Sequence, residues 1–95
     1  MTRFVVRTTS RFERLLRRLA RGHPELVDAY ADVLTILGAD PYNHSRRHQI
    51  LKLEGIPQGA GQYRLRFGRW RFRYDIYRQE VILQYCGLRR EDTYR

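Results

Sequence analysis

Two stretches, Tyr63-Arg64-Leu65-Arg66-Phe67 and Trp70-Arg71-Phe72-Arg73-Tyr74, decide how this chain folds. Side chains alternate between the two faces of a β-strand. Each stretch therefore sends its apolar residues to one face and its arginines to the other. Only Gly68-Arg69 separates them, a length that makes a tight hairpin. The pair predicts two antiparallel strands with one face able to bury a core. Arg64, Arg66, Arg71 and Arg73 share the opposite face, an arrangement suited to a phosphate-rich ligand.

Beyond this pair, Val81 to Gly87 supplies a further strand, joined through Arg78-Gln79-Glu80. Its opening Val81-Ile82-Leu83 is apolar at consecutive positions, as in a central strand covered on both sides. Arg3 to Thr8 reads as a first strand. Thr9 and Ser10 can cap the helix that follows, with Glu13 at capping-box spacing from Ser10. Phe12, Leu15, Leu16 and Leu19 form one apolar stripe, and Arg11, Arg14, Arg17, Arg18 and Arg21 cover the rest. Gly22 ends this helix and Pro24 opens a second, whose stripe is Leu26, Val27, Tyr30, Val33, Leu34 and Leu37. The short link predicts a helical hairpin. Asp40-Pro41 and Asn43 mark turns, Ile50 to Leu53 is a short apolar patch, and Pro57, Gly59 and Gly61 lead into Tyr63.

This order predicts an α+β fold, β-α-α-β-β-β: a twisted antiparallel four-stranded sheet with the helical hairpin packed on one face. Ninety-five residues suit a single domain, 1–95. Apolar residues at 42% are enough for a modest core despite the charge.

The formal charge is +9, and of the 19 basic residues only Lys52 is lysine. Such a balance points to a polyanionic partner: nucleic acid, an anionic membrane surface or an acidic protein. Arginine adds bidentate phosphate binding and stacking on bases, which lysine lacks. Genome composition or solubility would explain the number of arginines but not their placement on one face. The single cysteine, Cys86, forms no internal disulfide and reads as a packed small hydrophobe. Met1 to Val6 does not read as a signal peptide, and no window has transmembrane length, so a cytoplasmic protein is expected. His23, His44 and His48 do not make metal-ligand spacing with Cys86; no metal and no cofactor are expected. His48 and Glu54 are outside candidates for proton transfer.

Taken in order, Lys52-Leu53-Glu54-Gly55, Tyr63-Arg64-Leu65-Arg66, Trp70-Arg71-Phe72-Arg73-Tyr74 and Gly87-Leu88-Arg89-Arg90-Glu91-Asp92-Thr93-Tyr94-Arg95 resemble the RelE/ParE toxin superfamily. There a K-L-x-G segment precedes a strand of alternating basic residues, followed by a [YW]-R-[LF]-x-Y strand and a terminal G-H-R-R-x-x-Y-R run. The resemblance implies the toxin of a toxin–antitoxin pair. RelE-type members are endoribonucleases that cut mRNA in the ribosomal A site and are silenced by a cognate antitoxin, here expected to be acidic. ParE-type members share the fold but inhibit DNA gyrase without catalysis. A third class left open by the residues is an arginine-rich RNA-binding module without activity.

By motif position the resemblance implies catalytic roles for Arg64, Arg66, Arg71, Arg89 and Tyr94. Arg71 is the best candidate to stabilise charge on the phosphate, the largest catalytic term in such chemistry. Arg73, Arg90 and Lys52 would contact RNA, as would Arg14, Arg17 and Arg18, whose other reading is the polar face of an amphipathic helix. Tyr94 can stack on a base, orient the 2′-OH or, if deprotonated, act as base. RelE proper has lysines where this chain has Arg64 and Arg66, and Leu88 stands where many relatives have histidine. With a pKa above about 12, arginine is a poor general base. The base therefore has no assignment from the motif.

Overall fold

The computed structural model describes residues 3–88. Its elements run β1 (Val5–Thr8), α1 (Ser10–Gly22), α2 (Leu26–Ala39), β2 (Gln49–Lys52), β3 (Tyr63–Phe67), β4 (Trp70–Tyr77) and β5 (Glu80–Leu88). The five strands form one sheet in the order β1-β5-β4-β3-β2.

Two features correct the expected four-stranded antiparallel sheet. Gln49–Lys52, overlapping what is expected only as an apolar patch at Ile50 to Leu53, is a strand that pairs antiparallel with β3 and extends the sheet. The first strand, in turn, lies beside the last and runs parallel to it, with Val5 opposite Glu80 and Thr8 opposite Leu83. The helical segment between β1 and β2 is long enough to carry the chain across the sheet, which a parallel neighbour requires. The sheet is therefore mixed.

α1 begins at Thr9, whose Oγ1 accepts from the Phe12 N–H and satisfies one of the helix's orphan donors. Ser10 lies inside the helix, and Glu13 accepts a hydrogen bond from Thr8 Oγ1. The last turn closes through the His23 N–H donating to Leu19. α2 buries Leu26, Val33 and Leu37, with Tyr30 and Leu34 packed at the margin. Val27 departs from the expected stripe and is 62% exposed.

Both helices cover the face of the sheet that presents Leu65, Trp70, Phe72, Tyr74, Ile76, Val81, Leu83 and Cys86. Phe72 meets Phe12 of α1 and Tyr30 of α2, each with ring centroids 6.4 Å apart. The Tyr74 hydroxyl, buried with its ring, donates to the Pro41 carbonyl at 2.8 Å and ties the turn after α2 to the sheet. Burying each such large side chain stabilises the fold by about 1.5–3 kcal/mol. Among the described residues, no helix covers the arginine-bearing face.

Candidate functional site: an arginine face on the sheet

Register places the strand arginines in two ranks. Arg64 is directly opposite Arg73, and Arg66 directly opposite Arg71. Side chains so paired have Cβ atoms about 4.5–5.5 Å apart. Each rank extends onto β2 and β5: Leu51, Arg64, Arg73 and Tyr85 in one, Gln49, Arg66, Arg71 and Gly87 in the other.

A bulge decides what β5 contributes. Arg73 is paired with Tyr85 and Tyr74 with Leu83, so Gln84 is an extra residue in the ladder. An inserted residue swaps the faces of everything beyond it. Cys86 consequently joins the core at 2% exposure, while Tyr85 and Gly87 fall on the arginine side.

The two ranks are not equivalent, because the loop before β3 folds over one end of this face. Asp75 is 1% exposed there and accepts from the Gly61 N–H at 3.1 Å, the Gln62 N–H at 3.0 Å and Gln84 Nε2 at 2.9 Å. Arg73 holds the same loop: its Nε donates to Gly61 O at 3.1 Å and its Nη2 to Ala60 O and Gly61 O, both at 3.0 Å. The contact is close enough that a Cβ on Gly61, whose φ is +86°, would lie 2.9 Å from Arg73 Cβ. Glu80 pairs with Arg7 at 3.0 Å. Asp75 and Glu80, the acidic residues on β4 and at the start of β5, thus have partners away from the Arg66–Arg71 rank. Arg66 Nε is buried and makes no hydrogen bond among the described residues.

Lys52 does not join the arginine face. It is opposite Tyr63, on the helix side of the sheet, and its ammonium lies over the Tyr63 ring at 5.8 Å. Arg14 and Arg17 line a shallow cleft with Thr8, Thr9 and Ser10 beside the start of α1, and Arg17 reaches Glu13 at 3.7 Å. Arg18 is exposed on the same helix. Arg89, Arg90 and Tyr94 lie outside the described residues.

The histidines divide. His23 packs edge-on against Trp70, and His44 stacks on Tyr42. His44 and His48 sit in the turn region before β2 rather than on a helix. His48 shares a cleft of about 190 Å³ with Arg47, Arg66 and Gly68 at the hairpin end of the sheet. Its Nε2 is 3.9 Å from Asp40. Burial favours the neutral acid of Asp40, but bonds from Ser45 and the His44 N–H, with His48 nearby, hold its carboxyl below the ordinary value. Glu54 is exposed in the turn after β2. Cys86 is buried, and desolvation pushes its thiol up to about 12, which suits a packed residue and not a nucleophile.

The residue missed by pattern reading is Tyr85. Simple alternation from Val81 assigns it to the core, and only the bulge at Gln84 reverses that. Arg11, from the first turn of α1, places its guanidinium 5.9 Å from the Tyr85 ring centroid.

No protein-family model matches the sequence, and no curated protein does. The structure is similar to a chain in the crystal structure of the archaeal RelE–RelB complex from Pyrococcus horikoshii OT3. The TM-score is 0.66 at 20% identity, covering 90% of this chain and 94% of that one. The chain therefore has a RelE-like fold.

Proposed function

We propose that this protein is the toxin of a toxin–antitoxin pair and acts as an endoribonuclease on mRNA in the ribosomal A site. The observation that carries the reading is the Arg66–Arg71 rank: two cations held opposite each other on a face that no helix covers among the described residues. The likeness to a structure of a RelE–RelB complex supports an antitoxin partner. An acidic antitoxin segment suits a chain of net charge +9.

In the proposed reaction the 2′-OH attacks the adjacent phosphorus and the bond to the 5′-oxygen breaks. The products are a 2′,3′-cyclic phosphate and a 5′-OH end. One proton leaves the 2′-oxygen and one reaches the departing 5′-oxygen. Negative charge collects on the non-bridging oxygens between these events. Arg66 and Arg71 stabilise it as preorganised donors, with guanidinium groups in place of a metal ion. Arg64 grips the neighbouring backbone, and Arg73 fixes the loop that borders the site. Arg89, Arg90 and Tyr94 complete the proposal from the C-terminal run, Tyr94 at the 2′-OH. Arg14, Arg17 and Arg18 add salt-sensitive contacts to ribosomal RNA phosphates, and Lys52 contributes charge from the other side of the sheet.

One observation favours the alternative, a non-catalytic inhibitor of DNA gyrase. Arg64 and Arg66 stand where a catalytic strand in the RelE pattern carries lysines, and a guanidinium does not readily take up a proton. Inducing the wild type and an Arg71→Ala, Tyr94→Phe variant separates the readings. Codon-phased mRNA breaks, present with the wild type and lost in the variant, support the nuclease. Growth arrest with intact mRNA and halted supercoiling supports the gyrase inhibitor.

A further inference from the structure

Gly87 has no conformational reason to be glycine. It is not among the described residues with positive φ, and it sits in the body of β5, paired with Arg71. Its bareness has a steric cause instead. A Cβ built there would run into the Tyr85 hydroxyl, with the phenol Cζ at 2.9 Å and Cε2 at 3.2 Å. The Tyr85 side chain is thus folded lengthwise along its own strand, and its hydroxyl end rests on residue 87. That position is the continuation of the Arg66–Arg71 rank onto β5. Neighbouring strands are about 4.8 Å apart, so the hydroxyl stands one strand away from Arg71. The Arg11 guanidinium flanks the ring, a cation–π arrangement that holds the phenol in this pose.

We propose that Tyr85 is a catalytic residue whose hydroxyl donates a hydrogen bond to a non-bridging oxygen of the phosphodiester bound by Arg66 and Arg71. The proposal rests on the nuclease reading of this face. A tyrosine hydroxyl is a compact donor that carries no net charge. Beside two guanidinium groups it adds a third direction of hydrogen bonding to the same phosphate without further like-charge repulsion. Gly87 is the space that lets it lie there.

Single-turnover cleavage of ribosome-bound mRNA tests this with wild type, Tyr85→Phe, Tyr85→Ala, Gly87→Ala, the Tyr85→Ala, Gly87→Ala pair and Arg71→Ala. Tyr85→Phe keeps the ring and its contact with Arg11 and loses only the donor. The expected result is a rate about 10²-fold lower at saturating protein, the usual effect of removing one such donor, with an unchanged melting temperature. Gly87→Ala is expected to slow wild type similarly, because its methyl displaces the phenol, yet to have no further effect once Tyr85 is alanine. A Tyr85→Phe protein that cleaves like wild type while Arg71→Ala is inactive overturns the proposal and leaves the nuclease reading standing. Intact mRNA with wild type overturns both.

Discussion

Arg66 on β3 and Arg71 on β4 are direct cross-strand partners, and Arg64 and Arg73 repeat the relationship one rank away. Like charges placed directly opposite destabilise a sheet, typically by a few tenths of a kcal/mol to about 1 kcal/mol per pair. Arg66→Gln is expected to raise stability by about 0.5 kcal/mol, a rise of a few degrees in melting temperature for a domain of this size. The same change is expected to lower the cleavage rate by about 10²-fold or more. Calorimetry and single-turnover kinetics on one preparation check both halves.

The anchoring of the loop before β3 gives a second expectation. Asp75 receives three hydrogen bonds, two from backbone N–H groups of that loop, and is almost wholly buried. Asp75→Asn keeps the volume but turns one acceptor into a donor facing these donors. A cost of roughly 3 kcal/mol is expected, the scale of hydrogen bonds to a charged group. Urea denaturation measures it, and released Arg73 should appear as faster proteolysis within residues 57–61.

The core predicts a larger effect. Phe72 is fully buried between Phe12 and Tyr30. Phe72→Ala is expected to cost about 3–5 kcal/mol through lost transfer energy and the cavity left behind. Thermal unfolding would register this as a drop of more than 10 °C.

Alkaline behaviour follows from Cys86 and Tyr74. Desolvation raises the Cys86 thiol from its ordinary 9.0 to about 12, and pushes the Tyr74 phenol further up still. Each group is thus protonated in the folded chain where the unfolded chain has already lost the proton. The unfolded state binds fewer protons, so stability falls as pH rises. The contribution is complete below pH 9 and declines from there toward pH 12 for the thiol. Cys86→Ala is expected to flatten the early part of that decline in a series of denaturation curves from pH 8 to pH 11. Native protein at pH 8 should also resist thiol alkylation that unfolded protein undergoes readily.

Which of these features the residues announce depends on whether local geometry or distant pairing decides them. The two arginine strands were legible because period-two alternation runs through Tyr63–Phe67 and Trp70–Tyr77 without interruption, and a two-residue link leaves only a hairpin. The helices are legible for the same local reason, except that Val27, adjacent to the stripe from Leu26 to Leu37, faces solvent. β2 has only four residues and forms because β3 offers it a free edge, which no local pattern reveals. The parallel union of β1 with β5 likewise depends on residues more than seventy positions apart. At the site, Arg64, Arg66, Arg71 and Arg73 were found by alternation, but the bond from Arg73 to Gly61 and Ala60 was not. Tyr85 was hidden because the bulge at Gln84 reverses the parity of the strand. The side on which Lys52 lies is likewise set by pairing, with Tyr63 on the helix side.

The most direct test of the account is end-mapping of mRNA in cells expressing wild type or Arg71→Ala at matched levels. New breaks within translated frames, carrying 2′,3′-cyclic phosphate and 5′-OH ends, are expected with wild type and should disappear with Arg71→Ala. Growth arrest by wild type with messages left whole would contradict it.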